Sequence, residues 1–272
     1  MYKVKFLTAI ISFSFLVFVS CRVQKSNSTN NSRQNSLVID GPLWGAMWQQ
    51  KAAEYKALCY QAYNLAKMRL DIILEQPHTK ELAIVTDIDE TVLDNSPYAV
   101  HRAFLDSGYT DKTWMEWTAK LECDTVPGAL SFMKYAFSKG VHVYYITNRL
   151  EAERAATLKD LQRWNFPEAT DNHIFLKQST SGKEQRRSIV AQDHDIVLLF
   201  GDNLSDFSAV FDKKPYEERN ANVMSNSKLF GEKFIVLPNA AYGDWEGALY
   251  NFNYNLSPAQ KDSIIKKQLR TY

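Results

Sequence analysis

Asp87 and Asp89 stand two residues apart at the end of the apolar run Leu82-Ala83-Ile84-Val85, with Thr91 just beyond them. Side chains two apart in an extended segment point the same way, so both carboxylates can face one pocket. Close carboxylates repel; a divalent cation, or a proton held by one of them, resolves the conflict. Two further apolar runs end in the same polar manner. Val141-His142-Val143-Tyr144-Tyr145-Ile146 leads into Thr147-Asn148-Arg149, and Ile196-Val197-Leu198-Leu199-Phe200 leads into Gly201-Asp202, followed by Asp206. Lys183 lies between the second and third runs, just after Gly182. Several carboxylates, a hydroxyl and an ammonium meeting in one place suit phosphate chemistry with Mg2+. Oxygen ligands fit that ion. Thr147 and Lys183 can hold phosphoryl oxygens, and a positioned carboxylate can be a nucleophile.

The elements that must position these groups are legible in outline. Apolar runs of strand length, covered on both faces, are typical of parallel strands. Their carboxyl ends face the ligand crevice of an open α/β sheet. Between them, Val126-Pro127-Gly128 starts a helix through Lys139 that Gly140 stops. Glu151–Trp164 is helical, Ile174-Phe175-Leu176 is a short strand, and Gly182-Lys183 opens a helix through about Gln192. Phe234-Ile235-Val236-Leu237 is the last strand, and Ser257-Pro258 caps a terminal helix. Strands alternate with helices, so the expected fold is α/β, a mostly parallel sheet sandwiched by helices. Ahead of the first strand, apolar residues from Trp44 to Leu74 recur every three or four positions, as in one long amphipathic helix or two, closed by Pro77. Residues 98–125 lack a clear long period and contain Tyr109-Thr110-Asp111-Lys112-Thr113-Trp114, an aromatic-rich piece placed to overhang the site.

With 272 residues and 45% hydrophobic content, the chain can bury a large core. Its net charge of +1, without a basic run, gives no reason to expect a nucleic-acid polymer as partner. Met1-Tyr2-Lys3-Val4-Lys5, then Phe6 to Ser20, reads as an export signal: two lysines before an apolar stretch too short for a comfortable membrane span. Phe18-Val19-Ser20-Cys21 resembles a bacterial lipoprotein cleavage box, with Cys21 the residue to be lipidated. Arg22 to Ser36, rich in Ser and Asn, reads as a flexible tether. The expected organisation is a signal peptide over 1–20, a lipid-anchored tether over 21–40 and one domain over 41–272. Cys59 and Cys123 would then sit where disulfides are permitted, either paired or as buried thiols.

The motifs resemble those of the haloacid dehalogenase superfamily: Asp87-Ile88-Asp89-Glu90-Thr91, Thr147, Lys183 and Asp202 with Asp206, in that order. The longer matches Gly201-Asp202-Asn203-Leu204-Ser205-Asp206-Phe207 and Leu237-Pro238-Asn239-Ala240-Ala241-Tyr242-Gly243-Asp244-Trp245 are similar to class C acid phosphatases, and within them to bacterial lipoprotein 5′-nucleotidases. The resemblance covers roughly Trp44 to the C-terminus. It implies a Rossmann-like sheet with a small, mainly helical cap within about 98–125. It implies Asp87 as nucleophile and Asp89 as general acid and base. Mg2+ would be held by Asp87, the Asp89 backbone carbonyl and Asp202, with Asp206 at or just behind it. Thr147 and Lys183 would bind the phosphoryl group, with Lys177 the fallback, and Asn148 and Arg149 would lie at the substrate. Two aromatics that clamp a nucleobase fall on Trp114 and Tyr242, with Trp117 and Trp245 as rivals.

The implied substrates are phosphomonoesters: nucleoside 5′-monophosphates, with nicotinamide mononucleotide among the candidates. Three other readings stay open. A phosphotransferase would pass the aspartyl-phosphate to an alcohol. A surface binding or adhesion lipoprotein would need no catalysis. An ion-pumping ATPase would need membrane helices beyond the front segment. The expected setting is the cell envelope, a bacterial outer membrane or a periplasm-facing surface; a homodimer is left open. The five His residues have no catalytic spacing and are read as structural.

Overall fold

The computed structural model describes residues 36–272, and the apolar run before Asp87 is its first strand, β1 (Glu81–Thr86). Six more follow: β2 (Leu93–Asp94), β3 (Asp124–Thr125), β4 (His142–Leu150), β5 (Ile174–Lys177), β6 (His194–Gly201) and β7 (Phe234–Val236). Five of them form a parallel sheet in the order β5-β4-β1-β6-β7, so β1 is central. The chain moves outward from β1 through β4 to β5, then returns to the other side of β1 for β6 and β7. The carboxyl end of β1 is therefore a topological switch point, the place where such sheets open a crevice.

Strand alternation splits the core between two faces. Leu82 and Ile84 join Leu198, Phe200, Val143 and Tyr145 on one side; Ala83 and Val85 join Ile146, Leu199, Phe207 and Phe211 on the other. The first face is covered by α2 (Ala53–Leu74) and, beyond the cap, α5 (Ala129–Ser138), with α1 (Leu37–Lys51) adding Trp48 at its margin. The Trp44–Leu74 periodicity thus resolves into two helices, broken where Ala52 turns extended (φ −79°, ψ 126°). On α2, Tyr55, Cys59, Tyr63, Ala66 and Leu70 repeat at intervals of four or three, and this stripe is what is buried. Tyr63 stacks on Phe200 (5.6 Å, 13°) and donates its hydroxyl to the Thr91 carbonyl at 2.6 Å. That bond ties the helix layer to the turn carrying Asp89. On α7 (Glu184–Asp193), Val190 packs on the second face.

Residues 95–123 form the cap. The antiparallel pair β2–β3 closes its base, and α3 (Ser96–Phe104) and α4 (Asp111–Thr118) make its body. The helical character was expected; the two-stranded stem was not, because strands of two residues leave no periodic trace. The remaining helices are α6 (Arg154–Arg163), α7 (Glu184–Asp193), α8 (Tyr216–Ser225), α9 (Asp244–Leu249) and α10 (Pro258–Gln268).

The fold begins earlier than residue 41: residues 37–40 are the first turn of α1. The reason is a contact across the chain. The Leu37 and Val38 amides donate to Asp262 of α10 at 3.1 and 3.2 Å, satisfying helix-end donors that would otherwise be unpaired. The expected signal peptide, Cys21 and most of the expected tether lie outside the described residues. Among the described residues no helix is long and apolar enough to cross a membrane, and Cys59 and Cys123 are both buried free thiols.

Candidate active site

Four strand ends and the start of one helix build the site at the switch point. Asp87 keeps the ladder for one residue more, its amide donating to the Phe200 carbonyl at 3.0 Å. The chain then turns tightly: the Ile88 carbonyl accepts from Thr91, Val92 and Leu93, and Glu90 takes a left-handed conformation (φ 56°). Asp87, Asp202 and Asp206 converge so that one carboxylate oxygen from each lies within 4.8 Å of the others. Lys183, at the head of α7, pairs its ammonium with Asp87 and, at 2.7 Å, with Asp206. Lys183 is therefore the lysine at the acidic cluster, whereas Lys177 ends β5 beside Leu150.

The electrostatics of this group are unbalanced in one direction. Burial works against the Lys183 ammonium, but the Asp206 and Asp87 carboxylates outweigh it and hold its pKa above the ordinary value. Burial pushes the Asp87 carboxyl up to about 7, with Asp206 and Asp89 adding to the rise and Lys183 opposing it. Asp202 is raised well above the carboxylate range by burial, then by Asp206 and Asp87. Its fixed donor is Asn239, whose Nδ2 reaches Oδ2 at 2.7 Å. Fully ionised, the three carboxylates would exceed the one ammonium by two negative charges, an excess that adds to burial in raising Asp87 and Asp202. An oxygen-only donor set with that excess fits a hard divalent cation.

Asp206 is placed by Gly201. A Cβ on Gly201 would sit 2.3 Å from Asp206 Oδ2, so only glycine lets the carboxylate lie across the strand end. The Asn203 amide also donates to Asp206 Oδ2 at 3.0 Å. From α7, buried Arg187 donates to the Asp206 carbonyl at 2.6 Å. Its neighbour Arg186 donates to the Thr147 carbonyl at 2.5 Å and to Asn148 Oδ1 at 2.8 Å. One helix turn thus ties the ends of β4 and β6 together while presenting Lys183.

Asp89 sits in a different setting. Arg149, its side chain 0% exposed, closes on it through Nη2–Oδ1 at 2.7 Å and through Nε at 3.0 and 3.2 Å. Asn95 Nδ2 donates to Asp89 Oδ1 at 2.9 Å, and the Thr147 hydroxyl lies 3.5 Å from Oδ2. Arg149, expected at the substrate, is thus turned inward onto Asp89. A guanidinium fork this deep is stable only against a carboxylate it can neutralise. Asn148 is exposed and its side chain engages Arg186.

The aromatic candidates also have partners. Trp114 is 8% exposed and packs on Tyr98 edge-to-face at 5.0 Å, with Tyr109 tilted against it. Trp117 Nε1 donates to Asn95 Oδ1 at 2.8 Å, so the cap is hydrogen-bonded to the residue that holds Asp89. Tyr242 is half-buried and donates its hydroxyl to buried Glu90. Trp245 is exposed and bonds to the Tyr242 carbonyl. Asn95, Glu90, Asn239, Arg186 and Arg187 join the site beyond the residues expected from the sequence. Asn95, Glu90 and Asn239 stand inside the quoted motifs; Lys183, Arg186 and Arg187 fall at helix spacings of three and four, a signal that was present.

A Rossmann-like sheet with a D-x-D turn at its switch point, a lysine on the following helix and a second acidic turn on the neighbouring strand is the arrangement of the haloacid dehalogenase class. The model of HAD superfamily, subfamily IIIB (acid phosphatase) matches residues 12–245, and the chain belongs to that family. The class C acid phosphatase of Bacillus anthracis is similar over 86% of this chain and 99% of its own, at 47% identity and a TM-score of 0.83. A second structure of that protein, with tungstate bound, gives 48% identity and the same TM-score over 86% of this chain and 98% of that one. Curated relatives are more distant. The stem 31 kDa glycoprotein of Glycine max is 24% identical over 164 residues, 58% of this chain and 62% of that protein. Acid phosphatase 1 of Solanum lycopersicum is 28% identical over 131 residues, 45% of this chain and 50% of that protein. The chain thus spans between a half and two thirds of the length of these curated relatives.

Proposed function

We propose that the protein is a phosphomonoesterase that works through an aspartyl-phosphate on Asp87. The observation that carries this is the Asp87 carboxylate at the switch point, paired to Lys183 and facing Asp202 and Asp206. Asp87 attacks phosphorus and the ester P–O bond breaks; the leaving alkoxide takes a proton carried on Asp89 Oδ2, the oxygen that Arg149 holds less closely than Oδ1. Asp89 then removes a proton from water, whose oxygen attacks the phosphorus, releasing phosphate and restoring the Asp87 carboxylate. Lys183 and the Thr147 hydroxyl hold the phosphoryl oxygens. The Arg149 fork keeps Asp89 at a set distance and orientation through both halves of the reaction. Asp87, Asp202 and the Asp89 backbone carbonyl, with Asp206 behind, would hold Mg2+. When bound, Mg2+ offsets the charge crowded onto the phosphoryl oxygens.

The proposed substrates are nucleoside 5′-monophosphates, including nicotinamide mononucleotide. Support comes from the aromatic group of the cap (Tyr98, Tyr109, Trp114) and from Tyr242, whose partner Glu90 adjoins Asp89. Aromatic faces suit nucleobases of any identity. The proposed setting is the cell envelope, with lipid on Cys21, so that removing phosphate outside the cytoplasmic membrane frees an uncharged nucleoside for import. The test is phosphate release from a panel of esters, with and without Mg2+, for wild type and Asp87→Asn. Mg2+-dependent release, strongest on nucleotides and lost in Asp87→Asn, is the expected result. No release from any ester overturns the reading in favour of a binding lipoprotein. Transfer of phosphate to an added alcohol in place of water would make the protein a phosphotransferase.

A further inference from the structure

The opposite end of the sheet carries a second chemical grouping. The N-terminal residues of three adjacent parallel strands are Glu81 (β1), His142 (β4) and His194 (β6). Register places them on one face: Glu81 pairs with His194, and His142 pairs with Ala83, two residues along from Glu81. Six residues of extended chain, roughly 20 Å, separate Glu81 from Asp87, so this grouping lies apart from the phosphoryl site.

The atoms point to a common centre. Glu81 Oε2 lies 3.4 Å from His142 Nε2 and 3.8 Å from His194 Nε2, and one donor atom from each of the three falls within 4.8 Å of the others. A tetrahedral ion with bonds of about 2.0–2.1 Å has ligand-to-ligand edges of roughly 3.3 Å, close to these separations. The other nitrogen of His142 is already oriented: Nδ1 is 2.7 Å from Glu168 Oε1, and Glu168 Oε2 is itself fixed by the Val143 amide at 2.6 Å. A carboxylate on Nδ1 that leaves Nε2 free to ligate is the usual support of a metal-binding imidazole. His194 supplies the third donor, from the first residue of β6. Its side chain is 12% exposed, its Nδ1 is buried without a hydrogen-bond partner, and its Nε2 is too far from Glu81 for a hydrogen bond. Its Nε2, the nitrogen facing Glu81, therefore makes no hydrogen bond there and is free to ligate. Glu81, 76% exposed, leaves the centre open to solvent on one side.

We propose that Glu81, His142 and His194 form a site for a divalent transition-metal ion of the zinc class, oriented by Glu168 and with one open coordination position. Two imidazoles and a carboxylate favour zinc over Mg2+, which prefers oxygen ligands, so the two ends of the sheet select different ions.

The experiment uses tag-free protein, stripped with chelator and then saturated with Mg2+. Zn2+ is titrated calorimetrically into wild type, Glu81→Gln and His142→Gln, and Co2+ is added in parallel to read tetrahedral coordination from its visible absorption. The expected result is one equivalent of Zn2+ that wild type binds at least about 10-fold more tightly than either variant, with the Co2+ absorption lost in both. Glu81 is exposed, so its variant keeps the test valid if His142→Gln does not fold. Equal Zn2+ stoichiometry and affinity in wild type and Glu81→Gln would overturn the proposal.

Discussion

Arg149 is wholly buried and directs its Nε and Nη2 at the two oxygens of Asp89, with Nη2–Oδ1 at 2.7 Å. The pair joins the end of β4 to the turn after β1. Its consequence is that Asp89 is held from behind by a group that cannot lose its proton.

Replacing Arg149 tests that hold. Arg149→Met leaves Asp89 without its partner, and breaking a buried pair from one side costs about 3–5 kcal/mol. We expect a fall in unfolding free energy of that order by denaturant titration. Arg149→Lys keeps the charge but loses the fork, so kcat should fall while the fold survives. Unchanged kcat in Arg149→Lys would remove Arg149 from any positioning role.

The acidic cluster predicts opposite effects of two substitutions on stability. Asp87→Asn removes one of three carboxylates beside Lys183, so it should abolish phosphate release without lowering the melting temperature. Lys183→Met leaves Asp87 and Asp206 facing each other without their cation. It should destabilise the metal-free protein by a few kcal/mol, with Mg2+ restoring part of the loss. Thermal unfolding with EDTA and with Mg2+ reads both; a Lys183→Met variant as stable as wild type in EDTA would contradict the charge balance.

Gly201→Ala should act through Asp206. The added Cβ meets that carboxylate at 2.3 Å, so the second acidic turn must move away from Lys183 and the cluster. We expect a weakened Mg2+ requirement curve, shifted to at least about 10-fold higher Mg2+, with far-ultraviolet circular dichroism unchanged. An unaltered Mg2+ dependence would show that the turn is free to adjust.

Glu90 carries a pH signature. It is buried, accepts from the Asn95 amide at 2.8 Å and from the Tyr242 hydroxyl, and its pKa is raised well above the ordinary value by burial, then by Asp89, Asp202 and Asp94. The folded chain therefore keeps a proton that the unfolded chain has released. This contribution to stability is fully present below the unfolded pKa, about 4.3, and is lost as pH rises through the folded pKa. In EDTA, Glu90→Gln should lose less stability than wild type as pH is raised from 4 upward, measured by denaturant unfolding at each pH. Parallel curves for the two proteins would exclude a protonated Glu90.

The two described thiols should be silent in the native state. Burial pushes Cys59 up to about 11 and raises Cys123 further, and the thiolate is the reactive form. At pH 8, alkylation of both should require denaturant. Rapid labelling of either in native protein would show that α2 or the cap opens readily.

Much of the site was legible along the chain. Apolar runs ending in Asp87, Thr147 and Asp202 are parallel strands, and parallel strands bring their carboxyl ends to one edge whatever surrounds them. The periodicity from Trp44 to Leu74 marked the helix layer, and the same logic located the cap without its stem. The break at Ala52 left no such mark, because its extended backbone continues the apolar spacing on either side.

Sequence by itself determined which chemical groups reach the crevice, because strand direction and turn position are local properties. Only the tertiary structure decided how those groups are used. Arg149 faces inward onto Asp89, Tyr242 engages Glu90, Trp114 is enclosed by its neighbours, and Asp262 starts α1 from the far end of the chain. Each of these is a long or polar side chain choosing among partners tens or hundreds of residues away. The choice is made by the cost of leaving a buried charge or donor unpaired, and that cost exists only once the chain has folded around it.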